Sequence, residues 1–105
     1  MQFSNPFPER LKSARTRAGI SQKELGIRIG MEPSSASGRM NHYEKGRHVP
    51  DVSTLKRLAE ELDVPLNYFF CETDIMAEFV LLFDSLSEEK QRELIEKVKK
   101  ENHKS

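Results

Sequence analysis

A serine three residues ahead of a glutamate, at the front of a short apolar pattern, fixes a helix start at Ser21-Gln22-Lys23-Glu24. The pair reads as a capping box. The serine oxygen takes one orphan N–H of the first turn, and the glutamate reaches back to another. Leu25 and Ile29, four apart, give the helix that follows one buried face. Gly30 then offers a residue that can end it at positive φ. A second helix is predicted over 34–44, stopped by Gly46. Its apolar seam is thin: Ala36, Met40 and Tyr43. The other side carries Ser37, Gly38, Arg39, Asn41 and His42. A helix with so little to bury and so many hydrogen-bonding groups suits a surface that touches something polar. The rest of the chain reads as built around these two helices.

A first helix is predicted over 8–18, with Pro8 tolerated in its opening turn. Leu11, Ala14 and Ala18 supply the spacing of a buried seam, and Arg10, Lys12, Arg15 and Arg17 decorate the remainder. Gly26 falls where the two central helices should cross, and a small residue there lets the backbones approach. Residues 47–50 form a loop, because the residue before Pro50 favours an extended backbone. Asp51 or Ser53 can cap the next helix. Its Leu55, Leu58, Ala59 and Leu62 fall at i, i+3, i+4 and i+7. Val64-Pro65 breaks it. Residues 66–70 form a short helix whose Leu66 and Phe69, with Phe70 as a further candidate, close the core.

The flanks differ in character. Residues 1–7 are expected to be a flexible arm, with Phe7 available to fold back on the core. From Cys71 onward a second segment begins. Thr73 can cap a helix over 74–85, in which Ile75, Phe79, Leu82, Phe83 and Leu86 make one stripe, widened by Met76 and Val80. Ser87 caps a last helix, with Glu88 and Glu89 at its positive end and Lys97, Lys99 and Lys100 near its negative end. Leu94, Ile95 and Val98 give it a narrow apolar face, and 101–105 should fray. The expected fold is all-α: a five-helix domain over 8–70 followed by a two-helix C-terminal segment over 71–105.

An ordered set of residues runs through the first two thirds of the chain. It reads Ala18-Gly19-Ile20-Ser21-Gln22, Glu24-Leu25, Ile29-Gly30, Met40, Tyr43-Glu44-Lys45-Gly46, Pro50, and Leu55 to Leu62 ending in Val64-Pro65. This set resembles the phage-repressor-type (Cro/XRE) helix-turn-helix family of transcriptional regulators. One departure is the span from Gly30 to Glu44, which is longer than is usual in the family. Either the turn is longer or the second helix gains a turn at its front. The resemblance implies that the second helix lies in the major groove of DNA. Ser37, Gly38, Arg39, Asn41 and His42 are then candidates for base contact, with Arg able to pair bidentately with guanine and Gly38 permitting close approach. Gln22 and Ser21, with the free N–H groups of their helix start, would face phosphate, and Lys45, Arg47 and His48 would clamp the backbone further along. Arg15 and Glu44 are implied as an ion pair holding the recognition helix to its scaffold.

The function expected is sequence-specific binding of double-stranded DNA, as a repressor on a palindromic operator. Ile75, Met76, Phe79, Val80 and Phe83 still need cover once the first domain has closed, and a second copy is the common remedy, giving a homodimer. A toxin-neutralising antitoxin that covers a protein partner with the same helices, and autoregulates its operon, is the alternative.

Charge agrees with a polyanionic partner only once it is mapped. The net charge is zero. Residues 1–50 hold nine Lys or Arg against four Asp or Glu, a net +5, and residues 51–105 hold eight against thirteen, a net −5. Such asymmetry marks a polyanion-binding face, although segregated solvated charges would look the same. Cys71 is the single cysteine, so no intrachain disulfide forms. The first residues lack the charged and apolar regions of a signal peptide, and the apolar run at 79–83 is far too short to cross a bilayer. A cytoplasmic, nucleoid-associated protein of bacterial or phage origin is the default. His42, His48, His103 and Cys71 match no zinc spacing. Glu60 and Glu61 are adjacent and diverge on a helix. No phosphate loop, nucleophile elbow or HExxH occurs. Neither enzyme activity, a cofactor nor a metal is expected.

Overall fold

The computed structural model describes residues 5–104. Its helices begin where local chemistry satisfies a first turn. In α1 (Phe7–Ala18), Pro8 stands in the opening turn and the Phe7 N–H donates to Asn5 Oδ1 at 3.0 Å. That bond draws Phe7 into the helix. Its ring is buried edge-on against Tyr43 and Phe69, with centroids 6.4 and 5.3 Å away. Phe7 therefore belongs to the core and not to an arm. Residues 1–4 of that expected arm, like Ser105, lie outside the described residues.

In α2 (Gln22–Arg28) the Glu24 N–H donates to Ser21 Oγ at 3.0 Å. The reciprocal half of the capping box does not form. Glu24 instead accepts from Arg28, one turn on, at 2.9 Å. Helix α3 (Pro33–Glu44) starts on Pro33, so the additional residues lengthen the second helix at its front. Gly46, at φ +74°, closes α3: its N–H and that of Arg47 return to the carbonyls of Tyr43 and His42. Helix α4 (Val52–Leu62) is capped by Asp51, whose carboxylate accepts the Thr54 N–H at 2.8 Å and titrates below the usual carboxylate range for that reason. A 3₁₀ turn follows at Leu66–Phe70. Thr73 caps α5 (Asp74–Ser85), and Ser87 caps α6 (Glu88–Lys104), which continues through residues expected to fray. Among the described residues there is no strand, and the fold is all-α.

The core gathers Phe7, Leu11, Leu25, Met40, Leu58 and Phe69, each essentially inaccessible to solvent. Full burial of a side chain of this size contributes about 1.5–3 kcal/mol. The seam of α1 is Phe7, Arg10, Leu11 and Ala14. Ala18 is exposed, because Gly19 has already turned the chain and Ile20 packs inward in its place. In the 3₁₀ turn, Tyr68 and Phe69 close the core while Phe70 faces solvent. A period of three puts Phe70 on a different side from Leu66 and Phe69. The Arg17 guanidinium covers the Tyr68 ring at 5.5 Å.

Gly26 lies at the crossing of α2 and α3. A Cβ built on it would stand 2.8 Å from Ala36 Cβ, 3.1 Å from Met31 Sδ and 3.2 Å from Ala36 Cα. The methionine can move, but the alanine cannot. Gly26→Ala is therefore expected to lower the unfolding free energy by about 1–3 kcal/mol, despite the better helix propensity of alanine. Thermal melts check this; an unchanged or raised Tm would show that the two helices can part without penalty.

Helix α5 rests on the 3₁₀ turn through Ala77, which is buried, with Val80 and Leu81 against the core. Val80 shares the inward face with Ala77 and packs, partly buried, against the core of its own chain, so it is not part of the open stripe. Ile75, Met76, Phe79 and Leu82 point outward, with Ile75 81% exposed. Phe83 is half-buried, its ring 5.5 Å from that of Phe79. Gln91 Nε2 on α6 donates to the Phe83 carbonyl at 2.7 Å. Only Leu94 of the apolar face of α6 is half-buried; Ile95 and Val98 remain open.

Candidate nucleic-acid interface

Helix α3 is held in place by charge as well as by its thin seam. Arg15 Nε donates to Glu44 Oε2 at 2.6 Å, and Arg15 Nη2 to Glu44 Oε1 at 3.1 Å. Arg15 Nη1 donates to the Ile20 carbonyl at 2.9 Å. The bond to Glu44 raises the Arg15 pKa, outweighing the opposing effect of burial. Glu44 is reached from a third side by Gln22 Nε2, at 3.1 Å, and the same amide donates to Asn41 Oδ1 at 3.3 Å. One network therefore ties the C-terminal half of α3 to α1 and to the first residue of α2. The Glu44 side chain is 3% exposed.

This brace changes the roles of two expected contacts. Gln22 and Asn41 meet each other, so the Asn41 oxygen is committed inward and the Gln22 amide nitrogen is engaged. Sequence reasoning missed the link, although Asn41 lies one turn before Glu44 on the same stripe. Ser37, Gly38 and Arg39 are exposed, and His42 is half-buried beside His48, the ring centroids 5.2 Å apart. Arg39, His42 and His48 line a shallow cleft with Asp51 and Thr54. Lys45, Arg47 and His48 are exposed just beyond α3. Ser21 is exposed and keeps its hydroxyl proton, since its oxygen only accepts from Glu24.

The electrostatics of this face follow from one count. Between Pro33 and His48 the sole carboxylate is Glu44, and Arg15 neutralises it beneath the surface. The open side chains of that stretch include Arg39, Lys45 and Arg47, and the carboxylate that shares the cleft with Arg39 is Asp51, the cap of α4. Such a surface attracts phosphate. Among the described residues no group of three His, Cys, Asp or Glu side chains could hold a metal ion, and no helix is long and apolar enough to cross a membrane.

Residues 9–75 match the family model of a helix-turn-helix domain. The chain belongs to the XRE-type helix-turn-helix family of transcriptional regulators. Over 61 residues it is 33% identical to an uncharacterized HTH-type transcriptional regulator of Sinorhizobium medicae (strain WSM419), covering 58% of this chain and 41% of that protein. Over 63 residues it is 35% identical to the vegetative-specific protein H7 of Dictyostelium discoideum, covering 59% and 57%. The chain thus spans 41% and 57% of the length of these curated relatives. Among solved structures it is similar to the crystal structure of the transcriptional regulator BswR, with 46% identity and a TM-score of 0.85, over 90% of this chain and 93% of that one. That coverage is too large to leave out the C-terminal helix pair, so the likeness extends beyond the helix-turn-helix domain.

Proposed function

We propose that this helix-turn-helix protein is a homodimeric repressor that reads a palindromic operator with α3 in the major groove. The carrying observation is the outer face of α3: open, cationic and braced from behind by Arg15, Glu44, Gln22 and Asn41. Ser37, Arg39 and His42 contact base edges, and Asn41 contributes through its amide at the margin. Lys45, Arg47 and His48, with the Ser21 hydroxyl and the free backbone N–H of Gln22 at the start of α2, contact phosphate and set the register, while the Gln22 side chain stays in the brace. Ile75, Met76, Phe79 and Phe83 pair two protomers, which places two α3 helices about 34 Å apart, or a multiple of that, on one face of the duplex. Occupying a promoter in this way blocks transcription without catalysis. BswR, a solved structure similar over nearly the whole chain, is named a transcriptional regulator, which favours this reading over a toxin-neutralising antidote.

Selection of bound duplexes from a random pool tests the proposal. The expected product is one motif with two inverted half-sites. A pool that remains random after several rounds would overturn it.

Gly38 supplies a sharper prediction at one residue. It sits inside α3, and a Cβ built on it would meet nothing within 4 Å. The protomer has no steric need for glycine there. Gly38→Ala is expected to stabilise the free protein by about 0.5–1 kcal/mol and to weaken binding to the selected duplex, because the partner surface approaches the backbone at this point. Melts and titrations on the same preparation check both signs; unchanged affinity would remove Gly38 from the interface.

A further inference from the structure

Arg10 is a charged side chain buried in the core, 9% exposed, on the inward seam of α1 between Phe7 and Leu11. Nothing in the DNA-facing surface uses it. Its Nε donates to the Cys71 carbonyl at 2.9 Å, and its Nη1 donates to Asp74 Oδ1 at 3.0 Å. Both acceptors flank the cap of α5: Cys71 ends the 3₁₀ turn, Thr73 is the N-cap, and Asp74 is the first residue of the helix. The remaining support of α5 is a narrow strip formed by Ala77, Val80 and Leu81. Van der Waals contact along such a strip leaves a helix free to pivot about it. Two directional bonds at one end do not.

We infer that Arg10 is the positioning residue that fixes the angle between the recognition helix and the dimerisation helix, and so the half-site spacing that the protein accepts. The inference rests on the proposed pairing through α5. Arg10 reaches α3 through the core by its neighbour Phe7, whose ring packs on Tyr43 of α3 and on Phe69 of the 3₁₀ turn. The same turn of α1 therefore contacts the recognition helix and grips the start of α5. When two protomers pair through α5, a small pivot at this joint is carried out to both α3 helices with opposite sense. It changes their separation while leaving each one intact.

The test uses the full chain and two variants, Arg10→Met and Asp74→Ala. The Asp74 side chain is 99% exposed, so its loss leaves the core untouched and keeps the test valid if Arg10→Met folds poorly. Affinity is measured for one half-site from the selected motif and for duplexes with two half-sites whose centres are moved apart one base pair at a time. Both variants are expected to remain dimeric in sedimentation and to bind the single half-site as the parent does. Their preference for one spacing over its neighbours should fall by about tenfold, out of a linkage advantage on the order of 10²–10⁴. A parent that shows a spacing preference which both variants keep would overturn the clamp alone. Loss of half-site affinity in step with lost thermal stability would make Arg10 merely structural. A parent that is monomeric, or indifferent to spacing, would overturn the dimer reading and the clamp with it.

Discussion

Phe79→Asp is expected to convert the protein into a folded monomer that binds a two-half-site duplex on the order of 10²–10⁴ more weakly. The fold should survive, because Phe79 is 43% exposed and lies on the side of α5 away from Ala77. The dimer should not, because the substitution puts a carboxylate among Ile75, Met76 and Leu82, all of which are exposed in the protomer. In a pair that carboxylate would be buried without a partner, which is disfavoured far more strongly than losing the apolar contact. Affinity for a single half-site should stay where it was, since α3 is remote from the change. Sedimentation and titration of the two duplexes separate these effects. A variant that still sediments as a dimer would show that protomers pair elsewhere.

Arg15→Ala should have the largest effect on stability. Removing the guanidinium leaves the Glu44 carboxylate buried with only the Gln22 amide as donor. Breaking a buried pair from one side costs about 3–5 kcal/mol, and the surviving amide places this case toward the lower end. Glu44→Ala should cost less, because Arg15 keeps the Ile20 carbonyl and is more open to water. The double variant should cost less than the sum of the two, with a coupling of about 0.5–3 kcal/mol. Denaturant melts of the four proteins close the cycle. Strict additivity would mean that the two charges do not support one another in solution.

Most of the architecture was legible because it is local. The caps at Ser21, Asp51, Thr73 and Ser87 each involve a residue three positions away, and the seam of α4 repeats within its own turns. The stop at Gly46 is likewise a matter of one residue and its neighbours. The readings that changed all depend on distant or competing partners. Arg10 reads as a surface arginine until its acceptors, 61 and 64 residues away, are brought to it. Phe7 reads as the end of an arm able to fold back on the core; that it does so as the first residue of α1 depends on Asn5, which accepts its N–H, and on two distant rings. Tyr68 replaces Phe70 because the last short helix is 3₁₀, and Val80 turns inward because the 3₁₀ turn occupies that side of α5. At the candidate interface, the resemblance implied the Arg15–Glu44 pair and the outer face of α3. It did not imply that Gln22 and Asn41 bond to each other, since that contact exists only when α2 and α3 have crossed at Gly26.

The central claim is that α3 reads bases, and Arg39 is the guanidinium donor exposed on it. The direct measurement compares parent and Arg39→Ala on the selected duplex and on random duplex at one salt concentration. The expected result is a loss of about 1–3 kcal/mol on the selected duplex, with relaxed choice at one base pair and a smaller loss on random DNA. Equal losses on both would contradict the claim, because they would make Arg39 a phosphate contact and leave the face of α3 without its guanidinium reader.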